Sequence, residues 1–167
     1  MRLWYRLRQT VRRASVGLRP LDTSAAQHVL PPEAWDLFRA MPRGEQEHAL
    51  CVYACLAQAP LVVRQAGLLH DVGKSVSRIR LWHRAAHVLL RYAPAGWAQR
   101  LRHWRHSEGL RTLSAHAALG ADLCATAGLS REVCRLVSLH DVGEPPGDLP
   151  QELRAWLDAL RRADDTC

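Results

Sequence analysis

Lysine, phenylalanine and methionine are scarce in this 167-residue chain, and long apolar runs are missing. The chain has 23 lysines and arginines, of which one is a lysine, together with one phenylalanine and two methionines. The longest stretch without a formal charge is 48–63, which is shorter than the roughly 20 apolar residues of a membrane span. No apolar segment follows the first basic residues, so we predict neither a membrane span nor a secretory signal, and we expect a cytoplasmic protein.

Paired cysteine motifs are missing as well. None of the five cysteines belongs to a Cys-x-x-Cys pair, and they are Cys51, Cys55, Cys124, Cys134 and Cys167. An odd number of cysteines scattered through apolar helical patterns is typical of a reduced interior. We therefore predict reduced thiols, one of them at the terminus.

Acidic residues are missing from the first 20 positions, which carry most of the positive charge. The net charge is +7, and six arginines with no acid lie in residues 1–20, so the rest of the chain carries about +1. A nucleic-acid footprint over the whole protein is therefore not predicted. Residues 2–14 predict an amphipathic helix with Leu3, Trp4, Leu7 and Val11 on one face. This helix either packs on its own domain or contacts a membrane surface or a protein partner.

Alternation typical of β-strands is also missing, and the apolar period is helical almost throughout. Proline, glycine and capping residues predict further helices. One runs from Asp22 or Thr23 to before Pro31, and a short one begins at Pro32. The others are predicted over 43–58, 61–71, 75–92, 97–105, 111–127, 130–141 and 151–165, with Gly73 as the cap after 61–71 and Ser130 as the cap that begins 130–141. Residues 107–109 and 143–150 are predicted loops. We predict an all-α, single-domain helical bundle of about eight to ten helices, with residues 1–20 as a basic N-terminal helix and 21–167 as the domain.

Histidine, in contrast, is abundant, and four of the nine histidines form two similarly spaced pairs. His48 lies 22 residues before His70, and His116 lies 24 residues before His140. The second histidine of each pair begins the sequence His-Asp-Val-Gly. Two helices joined by a short turn can bring two imidazoles and a carboxylate to one depth, which is how helical bundles build metal sites. Imidazole and carboxylate bind first-row divalent ions, and a pair of such ions activates water and polarises a phosphoryl group.

These motifs resemble the HD-domain metal-dependent phosphohydrolase superfamily. The resemblance is carried by Gly67–Ser75 (GLLHDVGKS), by His48 upstream, and by Ala163 and Asp164 in a late helix. It covers about 43–165. The segments SAHAALGADLCATAGLS (114–130) and LVSLH (136–140) are similar to the binuclear branch of that superfamily.

The resemblance implies a set of metal ligands and a reaction. It implies one metal held by His48, His70, Asp71 and Asp164, and a second metal held by His116 and His140, with Asp71 bridging. Asp141 and Asp165 compete with Asp164 for the last position. The implied cofactors are one or two divalent ions of Mn, Fe, Co, Ni or Mg. The implied substrate is a small phosphomonoester or phosphodiester, such as a nucleotide, attacked by a metal-bound hydroxide.

Asp71 and Lys74 are the implied catalytic residues. Lys74 is the lone lysine of the chain, and its ammonium group suits a phosphate oxygen next to the metals. Arg78 and Arg84 either complete a phosphate clamp or lie in solvent. The sequence Gly-Lys-Ser at 73–75 is not the end of a phosphate-binding P-loop, because Leu68 occupies the position of the required first glycine.

Two other functions fit the same ligand set. One is a mixed-valence di-iron oxygenase of the same fold. The other is a non-catalytic, metal-stabilised signalling or interaction module, with residues 1–20 as its contact surface. Surface or packing roles are expected for the six tryptophans and for the remaining histidines, which are His28, His83, His87, His103 and His106.

Overall fold

A computed structural model of the chain describes residues 20–76 and 108–167, and the regular secondary structure of these ranges is entirely helical. They contain seven α-helices and one short 3-10 helix, which are α1 (Ser24–Val29), α2 (Pro32–Ala40), α3 (Arg43–Cys55), α4 (Leu61–Leu69), the 3-10 helix (Val72–Val76), α5 (Glu108–Thr126), α6 (Arg131–Leu139) and α7 (Gln151–Thr166). No strand occurs in these ranges, so the all-α prediction is confirmed for them.

The predicted count of eight to ten helices is not reached in the part of the chain that the structure describes. The helices predicted over 2–14 and 97–105 lie outside the described residues, and so does most of the one predicted over 75–92. Residues 1–19 also lie outside them, so the predicted basic N-terminal helix and its predicted membrane or partner contact stay predictions.

Proline determines where several helices begin. Helix α2 has Pro32 in its first turn, and α3, α4 and α7 directly follow Pro42, Pro60 and Pro150. Proline suits this position because the first backbone N–H groups of a helix have no partner within it. The predicted cap at Ser130 is confirmed, since its side chain accepts a hydrogen bond from Val133 N at 3.4 Å.

Two predicted boundaries are wrong. Glu108 and Gly109, expected in a loop, belong to the first turn of α5. Gly73, expected to cap α4, lies within the 3-10 helix instead. The reason at Gly73 is a close packing contact with α5, because a Cβ atom there would lie 2.0 Å from the carbonyl oxygen of His116.

Helix α4 is the centre of the described fold. It contacts α1, α2, α3, α6 and α7, and it buries Val63, Ala66, Leu68 and Leu69 completely. Helix α7 packs against α3, α4 and α6, while α5 packs against α6 and the 3-10 helix. The C-terminal end of α4 is therefore enclosed by its neighbours, and the chain there carries His70 and Asp71. None of the described helices is both long enough and apolar enough to cross a membrane.

The prediction of reduced cysteines is wrong for one pair. Cys51 on α3 and Cys167 after α7 form a disulfide, with their Cα atoms 5.9 Å apart. Cys55, Cys124 and Cys134 are free thiols. The two bonded cysteines are 116 residues apart in sequence, and only the packing of α7 on α3 brings them together.

Candidate metal centre

Six side chains from five helical elements converge beside the end of α4. His48 lies on α3, His116 on α5 and Asp164 on α7, whereas His70 and His140 are the residues that directly follow α4 and α6. Asp71 comes next after His70. Five of the six are buried, and Asp164 is half-buried. The structure therefore brings together, in its interior, all six residues that the resemblance implies as ligands.

His48, His70 and Asp164 form the first of two groups. Asp164 Oδ1 lies 2.8 Å from His48 Nε2 and 3.5 Å from His70 Nε2. The potential ligand atoms of the group all lie within 4.8 Å of one another. One carboxylate oxygen therefore faces two imidazole nitrogens at a separation that suits a shared ion.

Asp71, His116 and His140 form the second group. The Nε2 atoms of both histidines lie 3.6 Å from Asp71 Oδ1, and they lie 3.2 Å from each other. The ligand atoms of this group also lie within 4.8 Å of one another. Two imidazoles from separate helices thus face the carboxylate that follows α4.

Asp71 lies between the two groups. Its Oδ1 faces the second group, and its Oδ2 lies 3.5 Å from His70 Nε2 and 2.5 Å from Lys74 Nζ. The four imidazole rings are neighbours in the order His48, His70, His140 and His116, with ring centroids 5.0–5.2 Å apart. The two groups therefore form one continuous centre.

Backbone carbonyls orient three of these imidazoles. The Nδ1 atoms of His70, His116 and His140 lie 2.7–2.9 Å from the carbonyl oxygen of the residue three positions earlier, which is Gly67, Leu113 and Val137 respectively. A carbonyl oxygen only accepts, so each Nδ1 carries the proton and donates it. In the neutral ring the lone pair is then on Nε2, the atom that faces the centre.

This arrangement fits a divalent cation. His70 Nε2 is buried and makes no hydrogen bond, and the Nε2 atoms of His116 and His140 lie 3.2 Å from each other. Buried lone pairs that face one another and a carboxylate are destabilising unless a positive charge lies among them. Nitrogen and carboxylate oxygen are the donors that divalent transition metals bind.

The protonation states suit the same ion. Burial would raise the pKa of Asp71, but the Lys74 ammonium and His70 hold it well below its usual range. Burial opposes ionisation of Asp164 too, yet His48 and His70 hold its pKa well below the usual range. Both carboxylates are therefore ionised at neutral pH.

The two histidines on either side of Asp71 differ in charge. Burial favours the neutral form of His70, but the carboxylates of Asp71 and Asp164 raise its pKa to about 9. Burial and the Lys74 charge lower the pKa of His116 to about 4, so that ring is neutral at pH 7. Without a metal ion, a proton on His70 supplies positive charge between the two carboxylates.

Close backbone packing at Gly73 positions Asp71 beside His116. A Cβ atom on Gly73 would lie 2.0 Å from His116 O and 2.7 Å from Gly120 N, so only glycine fits between the 3-10 helix and α5. Gly120 in turn approaches Gly73 N closely. The two glycines explain why His-Asp-Val-Gly-Lys and His-x-x-x-Gly occur together around this centre.

The second His-Asp-Val-Gly sequence plays a different part from the first. Val72 is completely buried, whereas Val142 is 40% exposed, and nothing lies within 4 Å of a Cβ built on Gly143. Asp141 belongs to neither group of potential ligands among the described residues, and Asp165 also belongs to neither. His116 and His140 instead face Asp71, the carboxylate that the resemblance implies as bridging.

Arg161 is a residue of this centre that the sequence analysis missed. Its guanidinium donates to the carbonyl oxygens of Leu139 at 2.7 Å and His140 at 3.2 Å, and also to that of Val142. A cation there satisfies the last carbonyls of α6 and fixes the turn that carries His140. One arginine among many gave no signal in the sequence, apart from lying one helical turn before Asp164.

The residues predicted to contact phosphate are described only in part. Lys74 lies at the centre with its side chain 16% exposed, next to Asp71. Arg78 and Arg84 lie outside the described residues. No family model matches the chain, and no curated protein or solved structure is significantly similar to it.

Proposed function

We propose that this chain is a metal-dependent phosphohydrolase with an HD-type helical fold. Its substrate is a small phosphomonoester or phosphodiester, such as a nucleotide. Its cofactors are one or two divalent ions from the set Mn, Fe, Co, Ni and Mg. The proposal rests on the motif resemblance and on the convergence of the six side chains on one buried centre.

The observation that carries the proposal is the common orientation of three imidazoles. His70, His116 and His140 each donate Nδ1–H to a carbonyl of their own helix, so that their Nε2 atoms face one another and Asp71. A structural histidine in a core has no need of this arrangement, because an Nε2 hydrogen bond would satisfy it equally well. Oriented lone pairs around a carboxylate are typical of ligands prepared for a metal.

The two groups define the roles of the ligands. His48, His70 and Asp164 would hold one ion, His116 and His140 would hold the other, and Asp71 would contact both. Divalent ions at such a site polarise a phosphoryl group and lower the pKa of water.

Lys74 has a separate role at the edge of the centre. Its ammonium group lies 2.5 Å from Asp71 Oδ2 and is partly accessible to solvent. A phosphate oxygen that approaches Asp71 from solvent therefore meets a positive charge. We assign Lys74 to binding the phosphoryl group and to balancing the negative charge that increases on it in the transition state.

The first experiment measures metal binding by the purified full-length chain. Elemental analysis and titration with each of the five ions should give one or two bound ions for the wild type. His116→Ala should lose the ion of the second group. His28→Ala is the matched control, because His28 also bonds a backbone carbonyl through Nδ1 but is exposed and lies outside the centre.

The second experiment measures hydrolysis of p-nitrophenyl phosphate, bis-p-nitrophenyl phosphate and a panel of nucleotides with each metal. The proposal requires turnover that depends on metal and is lost on chelation. Metal bound at the centre without turnover of any of these compounds would contradict it and would favour the non-catalytic module. A mixed-valence iron signal together with oxygen consumption would favour the oxygenase.

A further inference from the structure

Three cysteines form a second cluster, separate from the metal centre, where the end of α3 meets the end of α7. Cys51 and Cys55 lie on α3 and are exposed, and Cys167 directly follows α7. The three sulfur atoms lie within 4.8 Å of one another. Cys51 and Cys167 are disulfide-bonded, and the free Cys55 Sγ lies 3.7 Å from Cys167 Sγ.

The positions on α3 let either cysteine reach the same partner. Cys51 and Cys55 are four residues apart, so they lie on one face of the helix, about one turn from each other. Moving Cys55 Sγ from 3.7 Å to a bonding distance of about 2.05 Å from Cys167 Sγ requires a shift of under about 2 Å. Cys167 directly follows the last helical residue of α7, so a shift of this size does not require the helix itself to move.

The other two cysteines lack these properties. Cys124 is completely buried, and burial raises the pKa of its thiol to about 12. Cys134 is half-buried, and burial also raises its pKa. A thiol reacts as the thiolate and needs access to its partner, so both are expected to be inert.

We propose that Cys51, Cys55 and Cys167 form a thiol–disulfide exchange site that reacts with low-molecular-weight thiols and disulfides. In the internal step, the Cys55 thiolate attacks Cys167 Sγ, a new Cys55–Cys167 bond forms, and the Cys51–Cys167 bond breaks. Cys51 leaves as a thiolate with the electron pair of the broken bond. Cys55 loses a proton to solvent and Cys51 gains one, so no external oxidant is consumed.

The site with all three cysteines reduced is oxidised by a small disulfide. A thiolate of Cys51 or Cys55 attacks one sulfur of the small disulfide and releases one equivalent of small thiolate. Cys167 then attacks the protein sulfur of this mixed disulfide and releases the second equivalent. The protein loses two electrons, and the small disulfide is reduced to two thiols. The same steps in reverse return all three cysteines to thiols.

The test maps disulfides in the full-length chain. The protein is reduced, transferred to glutathione buffers of defined redox ratio, quenched with N-ethylmaleimide, and digested for mass spectrometry of linked peptides. We expect two wild-type populations, in which Cys167 is linked either to Cys51 or to Cys55. Cys51→Ser should form the Cys55–Cys167 link, and Cys55→Ser should form the Cys51–Cys167 link. Cys134→Ser is the control and should match the wild type.

The wild-type result decides the proposal even if a variant folds poorly. A wild-type chain in which Cys167 is linked to Cys51 alone would overturn it and leave a plain structural disulfide. A folded Cys51→Ser variant in which maleimide labels both Cys55 and Cys167 would overturn it as well. Neither result depends on metal binding or on hydrolysis, so this test is independent of the proposed function.

Discussion

Asp71 is the side chain that the two parts of the centre share. It is 3% exposed, its two oxygens face opposite groups of histidines, and Lys74 contacts it. A buried carboxylate is costly unless charges or hydrogen-bond donors surround it. At Asp71 those surroundings are the imidazoles and the Lys74 ammonium group. The buried negative charge of Asp71 therefore depends on these neighbours.

Asp71→Ala should remove bound metal from both groups. The second group loses its only carboxylate, and the first group loses the carboxylate that is proposed to bridge the two ions. Hydrolysis should be lost with the metal, while most of the helical circular dichroism remains. Elemental analysis of the purified variant measures the loss. Asp141→Ala is the matched control, since it removes the same residue from the second His-Asp-Val-Gly sequence and should keep its metal. Full metal stoichiometry in Asp71→Ala would refute the bridging role.

Lys74→Ala should separate catalysis from metal binding. Removing the ammonium group takes away a charge next to the phosphoryl group but no metal ligand, so kcat/KM should fall roughly 10- to 100-fold with metal content unchanged. Steady-state kinetics and elemental analysis on one sample give both quantities. Arg135→Ala, an exposed charge on α6, should behave as the wild type. An unchanged kcat/KM for Lys74→Ala would remove this residue from the site.

At the scale of helical elements, the position of each ligand depends on how one helix end meets its neighbour. The 3-10 helix lies against the backbone of α5 at Gly73, and the turn after α6 is bonded to α7 by Arg161. Each contact lies within three residues of a ligand. Disturbing either element should therefore lower both stability and metal affinity.

Gly73→Ala should destabilise the fold, because the new methyl group would lie 2.0 Å from the carbonyl oxygen of His116 and backbone cannot move aside easily. We expect the free energy of unfolding to fall by about 1–3 kcal/mol or more, as for other overpacked sites. Urea denaturation measures the change. Gly143→Ala, with nothing within 4 Å of its new methyl group, should change it by less than about 0.5 kcal/mol. Equal effects in the two variants would contradict the packing argument.

Arg161→Ala should loosen the turn that carries His140, since it removes hydrogen bonds from a charged donor to three carbonyls at the end of α6. We expect a loss of about 1.5–3 kcal/mol in unfolding free energy, and weaker Mn²⁺ binding by the second group. Denaturation and Mn²⁺ titration measure the two effects. The neighbouring exposed Arg162→Ala is the control. If both variants bind Mn²⁺ equally well, Arg161 does not position His140.

At the scale of the whole molecule, two long-range links hold α3 and α7 in one register. His48 and Asp164 are 116 residues apart and in contact, and the disulfide-bonded Cys51 and Cys167 are also 116 residues apart. The disulfide therefore lies one helical turn beyond the ligand pair on both helices. It restricts the same helix pair that carries the first group of ligands.

Reduction of the Cys51–Cys167 disulfide should lower Tm by roughly 5–15 °C, because the bond closes a very long loop and restricts the unfolded chain. Affinity for Mn²⁺ should fall with it, since α7 is less firmly held against α3. Mn²⁺ suits this measurement because thiolates prefer softer ions. Calorimetry gives the Tm and titration gives the Mn²⁺ affinity of the oxidised and the reduced protein. Cys167→Ser serves as a permanently unlinked form, and Cys134→Ser is the control. An identical Tm in the oxidised and reduced wild type would contradict this prediction.

Local patterns were enough to predict the helical class, the proline-initiated helices and the cap at Ser130. These features depend on residues a few positions apart, for which periodicity and missing N–H groups are direct physical signals. The paired histidine spacings also indicated which imidazoles to group together. Asp71 and Asp164 entered the predicted ligand set through the motif resemblance, and they lie at the centre with the four histidines.

Only the tertiary structure decided between chemically equal residues. Asp71 lies at the centre whereas Asp141, in an identical His-Asp-Val-Gly sequence, belongs to neither ligand group. The first copy continues into a buried turn after α4, and the second leads from the buried His140 into a more exposed turn after α6. The Cys51–Cys167 link and the place of Asp164 beside His48 depend on the packing of α7 on α3. Sequence neighbours carry no record of which distant helix packs against them, so the Cys51–Cys167 link had to come from the fold, whereas the motif resemblance already implied that Asp164 lies with His48.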